Sequence, residues 1–193
     1  KFTVYGMRYW FRLFGMNYKA LRMPVIKEKN TLPTVLSKEE CRELFHAPRM
    51  FKHKIMLTLA YSGGLRLNEL RHLHIANVDF DRMMIHIKQG KGNKDRYVVL
   101  SKVMKQALQQ YYAEYQPQVY VFNGETLGEV VGERTIQNAI KEALRKTKIQ
   151  KTVTMHTLRH SYATHLLEDG VDLITIKNLR ILRNLETKRH YSS

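Results

Sequence analysis

At 193 residues and 44% hydrophobic content, the chain can bury one full domain plus an attached fragment, but not two complete domains. Thirty-three Lys and Arg against 17 Asp and Glu leave a net charge of +16, the electrostatic footprint of a polyanionic partner. No apolar run is long enough to cross a bilayer, and the basic residues are spread along the chain instead of gathering on one amphipathic helix, which favours nucleic acid over a membrane surface.

The first residues, KFTVYGMRYWF, mix aromatic and basic side chains without the small-residue cleavage site of a signal peptide. The missing initiator Met implies a start inside a longer protein. Residues 1–23 carry a helical pattern, and 24–34, opened by Pro24 and rich in polar residues, read as a linker. Residues 35–193 then form the main domain. Ser37 with Glu40 three positions later is a capping box, which predicts a helix through about Phe45. Cys41, the only cysteine, can form no internal disulfide; it reads as an ordinary residue near that helix start and points to a reducing compartment. Ile55, Met56, Leu59 and Ala60 predict a second helix from about Lys52 to Tyr61. Ser62-Gly63-Gly64 breaks it, and LRLNELRHLHI begins a third.

The period then changes from helical to alternating. Met83–Ile87 and Arg96–Leu100, joined by GKGNKD, predict a β-hairpin with a lysine-rich tip. Helical patterns return at 102–115 and 133–147, with a short apolar segment at Val119–Phe122, and again at 156–168 and 172–180. The expected class is α+β: a mostly helical domain with a small antiparallel sheet.

Three constellations carry chemistry. In His156-Thr157-Leu158-Arg159-His160, positions three and four apart share a helix face, so His156, Arg159 and His160 point together. Such a face serves zinc binding, a structural polar patch or phosphate handling, although zinc lacks both the HExxH glutamate and a cysteine pair. In Ser62–Leu70, paired glycines allow a tight turn that leaves Arg66 in a first helical turn, with Glu69 three residues on. The hairpin tip Gly90–Arg96 lacks the P-loop order and by itself reads as a turn with its lysines in solvent.

Taken together, Gly64-Leu65-Arg66, a GKGxKxR hairpin about 25 residues later, HTLRHSYATHLLEDG and a near-terminal tyrosine resemble the tyrosine recombinases. The likeness is to the Xer-type recombinases, phage integrases and mobile-element integrases, and it covers roughly residues 33–191. It implies that family's helical catalytic domain and small sheet, with residues 1–23 as the end of a separate core-binding domain. Carried over by motif, the site falls on Arg66, Lys91, His156, Arg159, Leu182 and Tyr191, supported by Glu69 and His160. Lys94, Arg96 and Arg183 are expected to contact DNA. The resemblance also implies double-stranded DNA as partner, four protomers on two recombination sites, no metal or other cofactor, and a bacterial cytoplasmic, nucleoid-associated location.

Of 11 tyrosines, Tyr191 lies 32 residues after Arg159, the spacing of the Xer-type pattern. Tyr162 instead reads as a packing residue of the helix carrying Arg159, and Tyr111 and Tyr112 read as half-buried or solvated residues of another helix. One stretch departs from the family text: 179–191 reads LRILRNLETKRHY, placing Leu182 where a His or Trp hydrogen-bonds the scissile phosphate and Ile181 where a turn glycine is usual. By analogy with removing one oxyanion donor, that change costs roughly 10²–10³ in rate. His190 offers a substitute imidazole. The competing expectations are a relic that binds DNA without efficient cleavage and a type IB topoisomerase.

Overall fold

Capping chemistry sets the helix starts, and one helix buried on most sides organises the packing of the others. The computed structural model describes residues 2–16, 33–90 and 94–178. The chain divides into two units, 1–32 and 33–193. In the first, α1 (Phe2–Leu13) is an aromatic-rich helix whose Trp10 ring lies 5.5 Å from Phe11 and 4.6 Å from Phe14.

The second unit opens with α2 (Lys38–His46), where Ser37 Oγ accepts from Glu40 N at 3.1 Å and Glu40 Oε2 accepts from Ser37 N at 2.7 Å. Both halves of the expected capping box are present, each satisfying an amide the helix start would otherwise leave unpaired. Helix α3 (Phe51–Ser62) buries Ile55, Met56, Leu57, Leu59 and Ala60, and packs against α2, α5 (Lys102–Tyr115), α6 (Glu133–Arg145) and α7 (Met155–Glu168). A helix that is apolar on most sides belongs at the centre of its domain, and α3 sits there. Leu36, Leu44, Leu108, Ile136 and Leu158 join it in the main core.

A tight turn follows at Gly64, whose φ of +51° is a left-handed conformation that favours glycine. Helix α4 is shorter than expected, Leu67–Arg71 only, because His72 leaves helical geometry and Arg71 Nε donates to Val131 O at 2.8 Å. A 3₁₀ turn at Ile75–Asn77 leads into β1 (Val78–Asp79), β2 (Met84–Gly90) and β3 (Lys94–Val99), an antiparallel sheet in the order β1-β2-β3. Its register pairs Ile85 with Val98, His86 with Tyr97 and Ile87 with Arg96. Ile85, Ile87, Val98 and Arg96 are buried while Tyr97 and Val99 are exposed, as a period of two requires.

Helices α5 and α7 match the predicted spans to within one residue, and α6 ends two residues earlier than predicted. Helix α8 (Leu173–Asn178) packs against α7 through Ile176, and the predicted continuation past 178 lies outside the described residues. Tyr111 is fully buried and Tyr112 and Tyr162 are half-buried, so all three pack within the fold. Cys41 is buried at 2% exposure, and burial pushes its thiol up to about 12. A thiol-disulfide reagent is therefore expected to leave the native protein unmodified and to react only after denaturant is added. Rapid stoichiometric reaction of the native chain would contradict this burial.

Candidate active site

The backbone turn at Gly64 brings the first arginine motif to the helix that carries the second. Arg66 is the N-cap of α4 and Glu69 its third residue, so the Glu69 carboxylate folds back and accepts from Arg66 N at 2.8 Å. The same carboxylate accepts from Arg66 Nη1 at 2.5 Å and from Arg96 Nη2 at 2.9 Å, and lies 3.9 Å from Arg159 Nη1. The Gly64 carbonyl accepts from Arg159 Nη1 and, at 3.4 Å, from Arg96 Nη2. Three guanidiniums thus surround one carboxylate and one carbonyl.

Burial makes this cluster stiff and electrostatically strong. The side chains of Glu69, Arg96 and Arg159 are 7%, 5% and 4% exposed, while that of Arg66 is 29% exposed. Burial alone would raise the Glu69 carboxyl, but hydrogen bonds from Arg96 and Arg66 outweigh it and hold the group below the ordinary carboxylate range. Burial, followed by repulsion from Arg66, lowers Arg159 to about 9, with Glu69 opposing the shift, so the guanidinium stays charged at neutral pH. Among the described residues the cluster carries three positive charges against one negative charge. That excess suits an anion with planar oxygen pairs, such as a phosphodiester.

Helix α7 supplies the imidazoles. Thr154 caps it, its Oγ1 accepting from Thr157 N at 3.2 Å. His156 is exposed, His160 is half-buried, and their Nε2 atoms lie 2.8 Å apart. At that distance one nitrogen carries the hydrogen and the other accepts it, so the two rings bind protons as a pair. Partial desolvation of the ring first and then Arg159 and Arg66 lower His156; burial, His156 and then Arg159 lower His160. The cationic neighbours also disfavour the zinc reading, and among the described residues no three His, Cys, Asp or Glu gather to hold a metal. Arg66, His156, Arg159 and His160 line one cleft of about 780 Å³ with Thr154 and Lys141.

The structure therefore brings together Arg66, Glu69, His156, Arg159 and His160. Arg96, expected to contact DNA, instead faces inward beneath the cluster. On β3 it alternates with exposed Tyr97 and stands opposite buried Ile87, which turns its side chain to the core, where Glu69 receives it. Its inward neighbour Val98 is the sequence signal for this placement. Lys94 opens β3 next to the hairpin tip. Lys91, Leu182, Arg183 and Tyr191 lie outside the described residues. Sequence reasoning missed the Gly64 carbonyl, since a backbone acceptor has no residue signature. It also missed a second cleft of about 730 Å³, where Arg66 and Glu69 are joined by His72, His74, His86 and Lys88.

The profile of the phage integrase family matches residues 34–193. Over 195 aligned residues the chain is 32% identical to tyrosine recombinase XerA of Thermococcus kodakarensis, covering 98% of this chain and 68% of that protein. The crystal structure of XerA recombinase superposes with a TM-score of 0.73 at 26% identity, over 95% of this chain and 67% of that one. A lambda integrase tetramer bound to a Holliday junction shares the fold, with a TM-score of 0.72 at 14% identity over 90% of this chain and 54% of that one. The chain spans between 54% and 68% of the length of the curated relatives compared with it. No described helix is long and apolar enough to cross a membrane.

Proposed function

This chain belongs to the phage integrase family of tyrosine recombinases, and we propose that it is the catalytic domain of a site-specific DNA recombinase that cuts and rejoins strands through a tyrosine. The observation that carries the reading is the buried Glu69 carboxylate bonded to Arg66 and Arg96 beside Arg159, on the same cleft as His156.

A phosphodiester resists attack because its anionic oxygens repel a nucleophile and gather further charge in the transition state. Arg66 and Arg159, already oriented and largely desolvated, clamp the nonbridging oxygens and stabilise that charge without reorganising. Tyr191 attacks the phosphorus; its hydroxyl proton passes to a base, and the phosphorus–O5′ bond breaks. His156 supplies the acid/base group, and Lys91 on the hairpin tip protonates the departing 5′ oxygen. The 3′-phosphotyrosine keeps the energy of the broken ester, so a 5′ hydroxyl from the partner strand rejoins it without ATP or metal. Leu182 donates no hydrogen bond to the phosphate, which slows these steps by roughly 10²–10³ without changing their order.

Residues 1–23 are assigned to the end of a core-binding domain, 24–34 to a linker and 35–193 to the catalytic domain. Lys94 and Arg183 are assigned to the DNA backbone. The partner is double-stranded DNA, engaged by four protomers on two recombination sites, in the bacterial cytoplasm at the nucleoid. The net charge of +16 supports a duplex partner, and the lambda integrase tetramer on a Holliday junction supports the assembly.

The test is incubation with nicked suicide duplexes in EDTA, followed by denaturing electrophoresis. A covalent adduct is expected. Salt-sensitive duplex binding without any adduct would establish a binding relic instead, and relaxation of plasmids lacking a recombination site would establish a topoisomerase.

The lowered affinity of His156 for protons sets a pH expectation. A depressed imidazole stays neutral, and therefore able to accept the tyrosine proton, to lower pH than a free one. The acid limb of cleavage is expected below the ordinary imidazole value of about 6.5, and His156→Gln should remove it. An acid limb unchanged in the variant would assign the base elsewhere.

A further inference from the structure

We infer that Arg96 is a positioning residue of the strand-cleavage site: it fixes the Glu69 carboxylate and the Gly64 carbonyl, and through them the attitudes of Arg66 and Arg159 toward the phosphate. The inference rests on the recombinase reading for its chemistry, but not for its geometry.

A structural role alone accounts poorly for an arginine here. Its neighbours on that face of the sheet include Ile85, Ile87 and Val98, all buried, so an apolar side chain would extend an apolar surface. Replacing buried ionic groups by well-packed apolar ones is often neutral or stabilising. Arg96 instead brings its charge to 5% side-chain exposure, and its Nε and Nη1 are buried with no hydrogen-bond partner among the described residues. Unsatisfied buried donors carry a cost that native folds rarely accept without a reason.

The reason lies at its third nitrogen. Nη2 reaches two acceptors that the proposed catalytic arginines also use, Glu69 Oε2 and Gly64 O. Glu69 holds Arg66 through both its backbone amide and its guanidinium, so a carboxylate that rotates carries Arg66 with it. Gly64 O holds Arg159, so the turn and α7 share the same anchor. Arg96 also lies on β3, five positions beyond Lys91, and so ties the stem of the hairpin to the carboxylate beneath the cleft. One buried guanidinium thereby links the glycine turn, α4 and the hairpin.

The experiment compares wild type with Arg96→Met, Arg96→Lys, Glu69→Gln and the Arg96→Met/Glu69→Gln double variant, each assayed well below its melting temperature. Single-turnover adduct formation on a saturating suicide duplex is expected to fall roughly tenfold to a hundredfold in Arg96→Met, the scale of a small misplacement of reacting groups. Duplex affinity should be little changed, because it is summed over many backbone phosphate contacts of which the scissile one is a small part. Arg96→Lys restores the charge opposite Glu69 and is expected to recover part of the rate. Acting through Glu69, the Met substitution should cost far less in the Glu69→Gln background, a non-additivity that a purely structural role lacks.

A wild-type rate in folded Arg96→Met, or strictly additive losses in the cycle, would overturn the inference. Should wild type itself form no adduct, the recombinase reading fails and inorganic phosphate decides the positioning role separately. Titration of phosphate followed by NMR of the arginine side chains is then expected to show weaker binding and a displaced Arg159 resonance in Arg96→Met. Equal phosphate binding in wild type and variant would overturn it.

Discussion

Glu69→Ala is expected to lower strand cleavage by at least about 10²-fold and to melt the domain at a clearly lower temperature. Among the described residues the Glu69 carboxylate is the negative group that pairs with Arg66, Arg96 and Arg159, and its side chain is 7% exposed. Removing it leaves Arg96 buried with its charge unpaired, an error that costs about 3–5 kcal/mol when one partner of a buried pair is lost. For a domain of this size that corresponds to a melting shift of roughly 10 °C. The catalytic loss has a separate origin. Without Glu69, Arg66 loses the carboxylate that receives both its backbone amide and its guanidinium, and the clamp is less preorganised. Glu69→Gln keeps the shape while removing the charge and should fall between wild type and Ala in both assays. Calorimetry and single-turnover cleavage at a common low temperature separate the two effects. A variant that melts like wild type and cleaves at its rate would remove Glu69 from the site.

Arg159→Ala is expected to reduce cleavage by about 10²–10³-fold or more, with duplex binding weakened far less. Arg159 is 3% exposed, and its guanidinium is anchored to Gly64 O and stays charged at neutral pH despite its burial. Arg159→Lys restores a point charge but not the planar fork, so it should recover only a small part of the loss. A substrate with a neutral methylphosphonate at the scissile position separates charge neutralisation from packing. There the deficit of Arg159→Ala should shrink, because less negative charge develops for the arginine to stabilise. A deficit of equal size on both substrates would show that Arg159 does not act on the phosphate charge.

Features whose cause lies within a few residues were legible in the sequence. Ser37 and Glu40 cap α2 as their spacing predicts, and the spacing of His156, Arg159 and His160 places all three on one cleft. The glycine break after α3 also fell where expected, since the positive φ at Gly64 is a local demand. Features decided over longer distances were not legible. Arg96 looked solvent-facing because an isolated arginine on a hairpin usually is; what turns it inward is a carboxylate 27 residues earlier that can satisfy it. Helix α4 stops at Arg71 because the chain beyond it pairs with a distant segment, Val121 N donating to Leu73 O at 2.8 Å. No local pattern encodes that partner. The single hydrogen between His156 and His160 follows from the distance between their rings, which spacing alone does not supply.

Covalent trapping with and without the tyrosine hydroxyl tests the central claim most directly. Wild type and Tyr191→Phe are incubated with the same nicked suicide duplex, and any protein–DNA adduct is digested and its attachment site read by mass spectrometry. The expected result is a wild-type adduct linked through a 3′-phosphate on Tyr191, and none from Tyr191→Phe at equal duplex binding. An adduct of undiminished yield from the Phe variant, or attachment at another residue, would contradict the account.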